Sequence, residues 1–257
     1  MSAVAMAVSD TMVLARRNLL RIPLAPDLLL SFTVQPIMFV LLFVYVFGGA
    51  ISTPGYDYVD FLMPGIIVQT MAFGGFVTAL GLAEDLKKGL IDRFRSLPIA
   101  RSAVLAGRTL ADVATNIISL AIMLAVGVLV GFSFSNGVLE ILTGVGLLLL
   151  FGYAFSWVFA YLGLSASSAE SAQALGFIAV FPLTFASSAF VPTDSMPGWL
   201  EAFANANPFT TTVDAIRALW LGAPAGTDVW VAILWALGLI AVFATLSVAR
   251  YRRAVTR

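Results

Sequence analysis

The chain has 257 residues, of which 60% are hydrophobic and only 11% are charged. A soluble domain carries about a quarter charged residues, so this composition excludes a protein that faces water on all sides. The 14 Lys and Arg residues balance 14 Asp and Glu residues, which argues against a nucleic-acid partner. Cys and His are absent, which excludes disulfides, a thiolate nucleophile, a zinc site of the usual type and a His-based catalytic relay.

Residues 1–27 predict an amphipathic helix that precedes the first membrane span. The apolar residues that share one helical stripe are Val8, Met12, Ala15, Leu19 and Ile22. Arginines lie off this stripe, where they can reach lipid phosphates, and Pro23 and Pro26 end the helix. We favour an interfacial anchor that orients the first span. The alternative is a lateral helix that also contacts a cytoplasmic partner.

Six apolar blocks are long enough to be transmembrane helices, which need roughly 20 residues each. The blocks cover residues 28–48, 61–83, 104–130, 141–164, 172–191 and 229–248. The central stretch of each block contains no Asp, Glu, Lys or Arg, whereas ion-coupled transporters usually carry charge there. The blocks predict an all-α integral membrane protein with six transmembrane helices in one domain, residues 1–257.

The basic residues predict the orientation of these helices. The third block begins with a polar collar that contains Arg108 and Asp112, so its apolar core starts near Val113. Thirteen of the 14 Lys and Arg residues lie before the first block, between the second block and this core, or after the sixth block. Six crossings place these segments on one side of the membrane and leave Arg217 as the single basic residue on the other. The positive-inside rule then places both termini in the cytoplasm.

The cytoplasmic segment between the second and third blocks predicts a short amphipathic helix over residues 84–98. Its apolar residues at helical spacing are Leu86, Leu90, Phe94 and Leu97. Pro98 ends the pattern. The residues alone leave two roles open. The helix either lies on the membrane surface or inserts its apolar face into a groove on a soluble partner.

The segment after the fifth block is too long for a turn and too apolar for a solvated loop. Pro208 divides it into two short apolar stripes, which we interpret as half-helices that re-enter the bilayer under a cover of protein. The alternative is a pair of helices lying flat, with Trp199 and Trp220 in the interfacial aromatic belt. Asp214 and Arg217 are three residues apart and would neutralise each other if the segment is buried.

The sequence contains no motif for catalysis or for binding nucleotide phosphates. It has neither the GxSxG pattern of serine hydrolases nor the GxxxxGK[ST] phosphate loop, and HExxH is impossible without histidine. We therefore predict no catalytic residue and no metal site. If the protein moves a molecule uphill, the energy must come from another subunit.

Two segments carry residue patterns that match a known family in order and spacing. The first pattern is Glu84-Asp85, Gly89, Arg93, Leu97-Pro98, Arg101, Gly107-Arg108 and Asp112. The second is Val191-Pro192, Met196-Pro197-Gly198-Trp199-Leu200, Asn207-Pro208 and Asp214-Ala215-Ile216-Arg217. Together they resemble the type-2 ATP-binding-cassette (ABC-2) exporter permeases, and within these the daunorubicin-resistance, DrrB-like permeases of actinobacteria. The resemblance covers nearly the whole chain.

This resemblance implies roles for both segments. Residues 84–98 would be a coupling helix seated on a separate ATPase, with the candidate contacts Glu84, Leu86, Gly89, Leu90, Arg93, Phe94, Leu97 and Pro98. Residues 192–220 would be a re-entrant hairpin that closes an outer gate, with the candidates Pro192, Trp199, Leu200, Pro208, Asp214 and Arg217. Two ATPase copies would bind ATP and Mg, so this chain itself would hold no cofactor.

The resemblance also implies a cargo path between two permeases in a bacterial cytoplasmic membrane. The second permease would be the same chain or a paralogue, and we favour a homodimer. Candidate path residues at helical spacing are Phe32, Gln35, Phe39, Gln69, Phe73, Phe76, Phe177 and Phe181, for each of which ordinary helix packing is the alternative. Uncharged spans suit a drug, lipid or glycolipid better than a small ion. The rival class is a channel-forming or structural membrane protein with no ATPase.

Overall fold

The computed structural model describes residues 11–13, 15, 26–47, 53, 55–87, 101–224 and 226–255. Within these ranges the chain is helical apart from turns and short connections, and they contain no strand. The helices are α1 (Pro26–Leu42), α2 (Tyr58–Phe73), α3 (Phe76–Lys87), α4 (Arg101–Leu129), α5 (Val138–Ser165), α6 (Ala169–Phe185), α7 (Gly198–Ala206), α8 (Pro208–Leu221) and α9 (Asp228–Val255). A π-helical turn, Phe43–Phe47, extends α1, and a 3-10 turn, Thr193–Ser195, precedes α7. The predicted all-α architecture is confirmed.

Four helical stretches of the described chain are long and apolar enough to cross a membrane. They are Tyr58–Lys87, Val104–Leu129, Val138–Ser165 and Asp228–Arg253. Val34–Val46 and Ala169–Phe185 are apolar but shorter. The long stretches coincide with the second, third, fourth and sixth predicted blocks, and the shorter ones fall in the first and fifth. Six crossings therefore stay a prediction. Most of the predicted N-terminal amphipathic helix lies outside the described residues.

Helix α5 is the centre of the fold, since it contacts α2, α3, α4, α6, α8 and α9. Phe151, Phe155 and Phe159 recur every four residues along it and are buried. The first two rings contact Phe209 of α8, with centroid distances of 5.3 and 5.2 Å. The third contacts Phe76 of α3 at 4.9 Å. One aromatic stripe thus holds helices from both halves of the chain together.

The second predicted block is divided into two helices at Gly74 and Gly75. A β-carbon at Gly74 would overlap the side chain of Asn116 in α4. A β-carbon at Gly75 would crowd the backbone of Ser156 in α5. Only glycine allows both neighbours to approach the chain so closely. The sequence alone does not locate this junction, because the neighbours that require it come from distant parts of the sequence.

Helix α6 ends at Phe185, well before residue 191, where the fifth apolar block ends. The side-chain amide of Asn207 donates to the carbonyl oxygens of Leu183 (2.6 Å) and Ala186 (2.8 Å) at this end. Its side-chain oxygen accepts from the backbone N–H of Phe209 and so caps the start of α8. One asparagine therefore completes hydrogen bonds at the end of one helix and the start of another.

Candidate functional site

A cavity of about 220 Å³ lies among α1, α2, α3, α4 and α6. Its lining residues are Gln35, Pro36, Phe39, Gln69, Thr70, Phe73, Gly74, Phe76, Leu80, Thr115, Ser119, Gln173, Phe177 and Phe181. None of these described lining residues is charged. A group that enters the cavity therefore meets aromatic rings, amides and hydroxyls.

Phenylalanine rings from three helices form a continuous wall of the cavity. Phe73 of α2 lies 5.8 Å from Phe76 of α3, and both lie within 5.8 Å of Phe177 in α6, measured between ring centroids. Phe181 extends the wall, 6.0 Å from Phe177. These separations are typical of favourable aromatic pairs. The wall therefore offers faces and edges of aromatic rings to an apolar group.

The polar part of the cavity is uncharged. Two hydroxyls are used within their own helix, because Thr70 donates to Ile66 (2.8 Å) and Thr115 donates to Ala111 (3.2 Å). The amides come from Gln35, Gln69 and Gln173, and each has both donor and acceptor atoms. The cavity can thus form neutral hydrogen bonds beside its aromatic wall.

Seven of the eight path candidates proposed from the sequence line this one cavity. The eighth, Phe32, belongs to α1, and its side chain lies outside the described part of the structure. Sequence reasoning missed Gln173, although it lies one helical turn before Phe177 on the same stripe. It also missed Thr115 and Ser119 of α4, since the third block was not considered as a wall. A role for these residues in transport stays a prediction.

The candidate outer-gate residues Asp214 and Arg217 lie in a closed network at the other end of the cavity-lining helix α2. Arg217 donates to the carbonyl oxygens of Phe61 (2.8 Å from Nη2) and Ser188 (2.8 Å), and to the Asp214 carboxylate (2.9 Å). Its guanidinium also lies 3.6 Å from the centroid of the Phe61 ring. Asp214 accepts a second hydrogen bond from the Ser188 hydroxyl. The mutual neutralisation expected from the sequence is present.

The remaining gate candidates lie around helix α7. Pro192 precedes the 3-10 turn, and Pro208 is buried at the start of α8. Trp199 and Leu200 are in the first turn of α7, where the tryptophan is 76% exposed. Trp220 does not fit the flat-lying interpretation, because it is fully buried and its indole N–H donates to the carbonyl oxygen of Ile141 in α5. Whether the pair of helices re-enters a bilayer stays a prediction.

The predicted coupling segment is described only at its start. Glu84 and Leu86 continue helix α3, which ends at Lys87. The other coupling candidates lie outside the described residues: Gly89, Leu90, Arg93, Phe94, Leu97 and Pro98.

Residues 9–221 match the model of a family described as ABC-2 type transporter. The chain belongs to this family. It is 37% identical over 248 residues to the daunorubicin resistance ABC transporter permease protein DrrB1 of Streptomyces coeruleorubidus, covering 96% of this chain and 88% of that protein. It is 25% identical over 224 residues to the probable doxorubicin resistance ABC transporter permease protein DrrC of Mycobacterium tuberculosis, covering 87% and 81%. A putative transport permease, ycf38, of Cyanophora paradoxa is 28% identical over 217 residues, covering 83% and 74%.

Family membership confirms the resemblance drawn from the two residue patterns. The cavity therefore lies in an ABC transporter permease, and the apolar helices around it are those of a multi-pass membrane protein.

Proposed function

We propose that this permease is the membrane subunit of an ATP-driven exporter that moves an amphiphilic molecule out across a bacterial cytoplasmic membrane. The observation that carries the proposal is the cavity, in which an aromatic wall faces neutral amides and no described lining residue is charged. A small ion would need charged side chains or converging carbonyl oxygens to replace its hydration shell. An amphiphile needs an apolar surface and a few neutral hydrogen bonds.

The size of the cavity supports a shared cargo path. Pockets for drug-sized ligands measure about 300–1,000 Å³. The cavity in one chain measures about 220 Å³, so it would hold only part of such a cargo. We propose that a second permease, a copy of this chain, contacts the remainder.

An aromatic drug is the cargo that the cavity and the relatives favour. Rings from Phe73, Phe76 and Phe177 would contact an aromatic cargo with their faces and edges. Two of the relatives are named for resistance to daunorubicin and doxorubicin. Lipid and glycolipid cargoes are the alternatives within the same proposal.

Energy would come from two copies of a separate ATPase that binds ATP and Mg. We propose that this ATPase binds residues 84–98. The distribution of basic residues predicts that this segment and both termini lie on the cytoplasmic side. Six helices would cross the bilayer, and residues 192–220 would form the outer hairpin. Alternating exposure of the cavity would then follow the ATPase cycle.

The test is transport of daunorubicin into inverted membrane vesicles that contain this chain and its co-purified ATPase. Replacing Phe177 with Ala removes the ring at the middle of the aromatic wall, and we expect ATP-dependent accumulation to fall about tenfold, as for lost apolar and aromatic contacts worth roughly 1.5 kcal/mol. The matched control is Ile178→Ala, which alters the next residue of α6, 71% exposed.

Equal accumulation in both variants would contradict a cargo path through this cavity. If no ATPase co-purifies and transport proceeds without ATP, the rival channel class is supported instead. Competition by phospholipid or glycolipid, but not by other aromatic drugs, would assign the cargo to the lipid class.

A further inference from the structure

Five phenylalanine rings form a continuous row that begins and ends at the cavity. The distances between successive ring centroids are 6.0 Å (Phe39 to Phe43), 4.8 Å (Phe43 to Phe190), 5.0 Å (Phe190 to Phe185) and 4.6 Å (Phe185 to Phe181). Successive ring planes differ by only 14°, 19°, 29° and 30°. Phe39 and Phe181 line the cavity, whereas the three middle rings are not among its described lining residues. We call this row the aromatic arch.

The arch lies at the end of the cavity that the basic residues predict to be extracytoplasmic. Phe43 follows Phe39 by one turn, in the π-helical turn that extends α1. Phe185 is the last residue of α6, and Phe190 lies in the connection that follows this helix. Both α1 and α6 line the cavity with residues that precede the middle rings in sequence. A cargo that leaves the cavity in this direction therefore meets the arch.

The middle of the arch is held in place by the backbone beside it. A β-carbon at Gly65 of α2 would overlap the backbone of Ala189, so the connection after α6 is pressed against α2. The backbone N–H of Ser188 donates to the hydroxyl of Thr210 in α8 (3.1 Å). Phe190 itself is only 4% exposed. Its ring therefore has a defined position between those of its two neighbours.

The rings on either side of Phe190 have more freedom. Phe185 is 42% exposed and ends its helix. Phe43 belongs to a π-helical turn, a rare geometry that often occurs at functional sites. A flat molecule between two rings needs about 7 Å between their planes, twice the usual carbon–carbon contact distance. The middle contacts of the arch are shorter than this, so one of them must open before such a molecule can pass.

We propose that Phe43, Phe185 and Phe190 select planar aromatic cargo at the exit from the cavity. This inference rests on the proposed function and names the class of cargo that leaves by this route. A planar aromatic molecule that separates two rings contacts both of them, so one lost ring–ring contact is replaced by two new ones. A saturated chain offers no ring face in exchange. The arch therefore opens more readily for an aromatic cargo than for an aliphatic one.

The test compares two probes in inverted vesicles that contain this chain and its co-purified ATPase. Daunorubicin is the planar aromatic probe, and radiolabelled decyl maltoside is an uncharged amphiphile with a saturated chain. We expect the unaltered complex to accumulate daunorubicin faster with ATP. Phe190→Leu keeps an apolar side chain at the buried position but removes the ring contacts that a saturated chain would have to break. We expect it to raise the ATP-dependent rate for decyl maltoside about two- to tenfold.

The daunorubicin rate of Phe190→Leu should stay within about twofold, because the variant loses one ring–cargo contact and one ring–ring contact together. Phe185→Leu should act in the same direction at a half-exposed position. Phe185→Tyr, which keeps the ring, should retain the preference of the unaltered complex. A raised rate for one probe cannot result from loss of folded protein.

The matched control is Phe132→Leu, which removes a ring outside the arch. Phe132 is also 4% exposed, and it also contacts two aromatic side chains, Phe134 at 5.0 Å and Trp220 at 6.0 Å between ring centroids. This variant should leave both rates unchanged. An equal rise for decyl maltoside in the control would show a general loosening of the protein and would overturn the inference.

The remaining outcomes separate this inference from the function on which it rests. If the unaltered complex moves neither probe with ATP, the proposed function fails, and the inference fails with it. If the unaltered complex moves decyl maltoside as fast as daunorubicin, or if Phe190→Leu does not raise the decyl maltoside rate, the inference alone fails. It is also overturned if Phe185→Leu loses the second permease from the complex, because the rings then form an interface between copies of this chain.

Discussion

The two arginine clusters of this permease differ in the side chains that surround the arginine. Around Arg217, the guanidinium contacts two backbone carbonyls, a carboxylate and an aromatic ring. Around Arg108, the guanidinium pairs with Asp85. The neighbouring Asp112 Oδ2 and Asn116 Nδ2 are buried and have no hydrogen-bond partner among the described residues.

The two arginines lie near opposite ends of the stretch formed by α2 and α3. Phe61 contacts the first and Asp85 pairs with the second, which places them about 36 Å apart along the helices. A fully satisfied polar network specifies one arrangement, whereas a buried polar atom without a partner is unfavourable. We therefore expect the outer cluster to contribute more to stability than the inner one.

The largest expected effect is the loss of the outer arginine. Arg217→Leu removes the cation and leaves the Asp214 carboxylate and the acceptors of Phe61 and Ser188 without it, so we expect about 3–5 kcal/mol of destabilisation. Thermal or denaturant unfolding in lipid nanodiscs measures it. The control is Arg250→Leu, at an exposed position of α9. If Arg217→Leu lowers the free energy of unfolding no more than Arg250→Leu does, the outer cluster does not stabilise the fold.

An intermediate effect is expected at the asparagine that ends α6 and begins α8. Asn207→Ala removes one helix cap and two hydrogen bonds to carbonyl groups, so we expect a cost of about 1–3 kcal/mol in the same unfolding experiment. Asn205→Ala, an exposed asparagine of α7, is the matched control. Equal stability of the two variants would contradict a stabilising role for the hydrogen bonds of Asn207.

The smallest effect is expected in the inner cluster. Asp112→Asn replaces a buried carboxylate whose Oδ2 has no partner in the described structure with a neutral group of the same shape. Burial of a charge is unfavourable, and the hydroxyls of Thr78 and Ser156 can still donate to the amide oxygen of asparagine, so we expect stability to rise or to change by less than about 1 kcal/mol. A loss as large as that of Arg217→Leu would make the two clusters equivalent and would contradict the comparison.

Several features of the site were predictable because they depend on spacing within one helix. Phe177 and Phe181 are one turn apart, and so are Phe73 and Gln69, so each pair shares a face wherever its helix packs. Asp214 and Arg217 are also neighbours on one helix, and their ion pair is observed. Gln173 lies one turn before Phe177 on the same helix, so the same spacing predicts that it shares this face.

Other features could not be read from such spacing. Arg217 meets the carbonyl oxygen of Phe61 across 156 positions of the sequence, and Arg108 meets Asp85 across 23. The division of the second block at Gly74 depends on Asn116, a residue of another helix. Neither a backbone carbonyl group nor a glycine leaves a pattern in the sequence that identifies the residue it contacts.

The sequence by itself determined that this is an all-helical membrane protein, because composition, block length and helical spacing are properties of the chain alone. Two residue patterns added a resemblance to ABC-2 permeases, which the family match confirms. The tertiary structure decided that Phe39, Gln69 and Phe177, from three different helices, line one cavity. It also decided that Arg217 meets the carbonyl oxygen of Phe61 and that Arg108 meets Asp85. Both outcomes depend on which helix faces meet, and that is set by packing between segments far apart in the sequence.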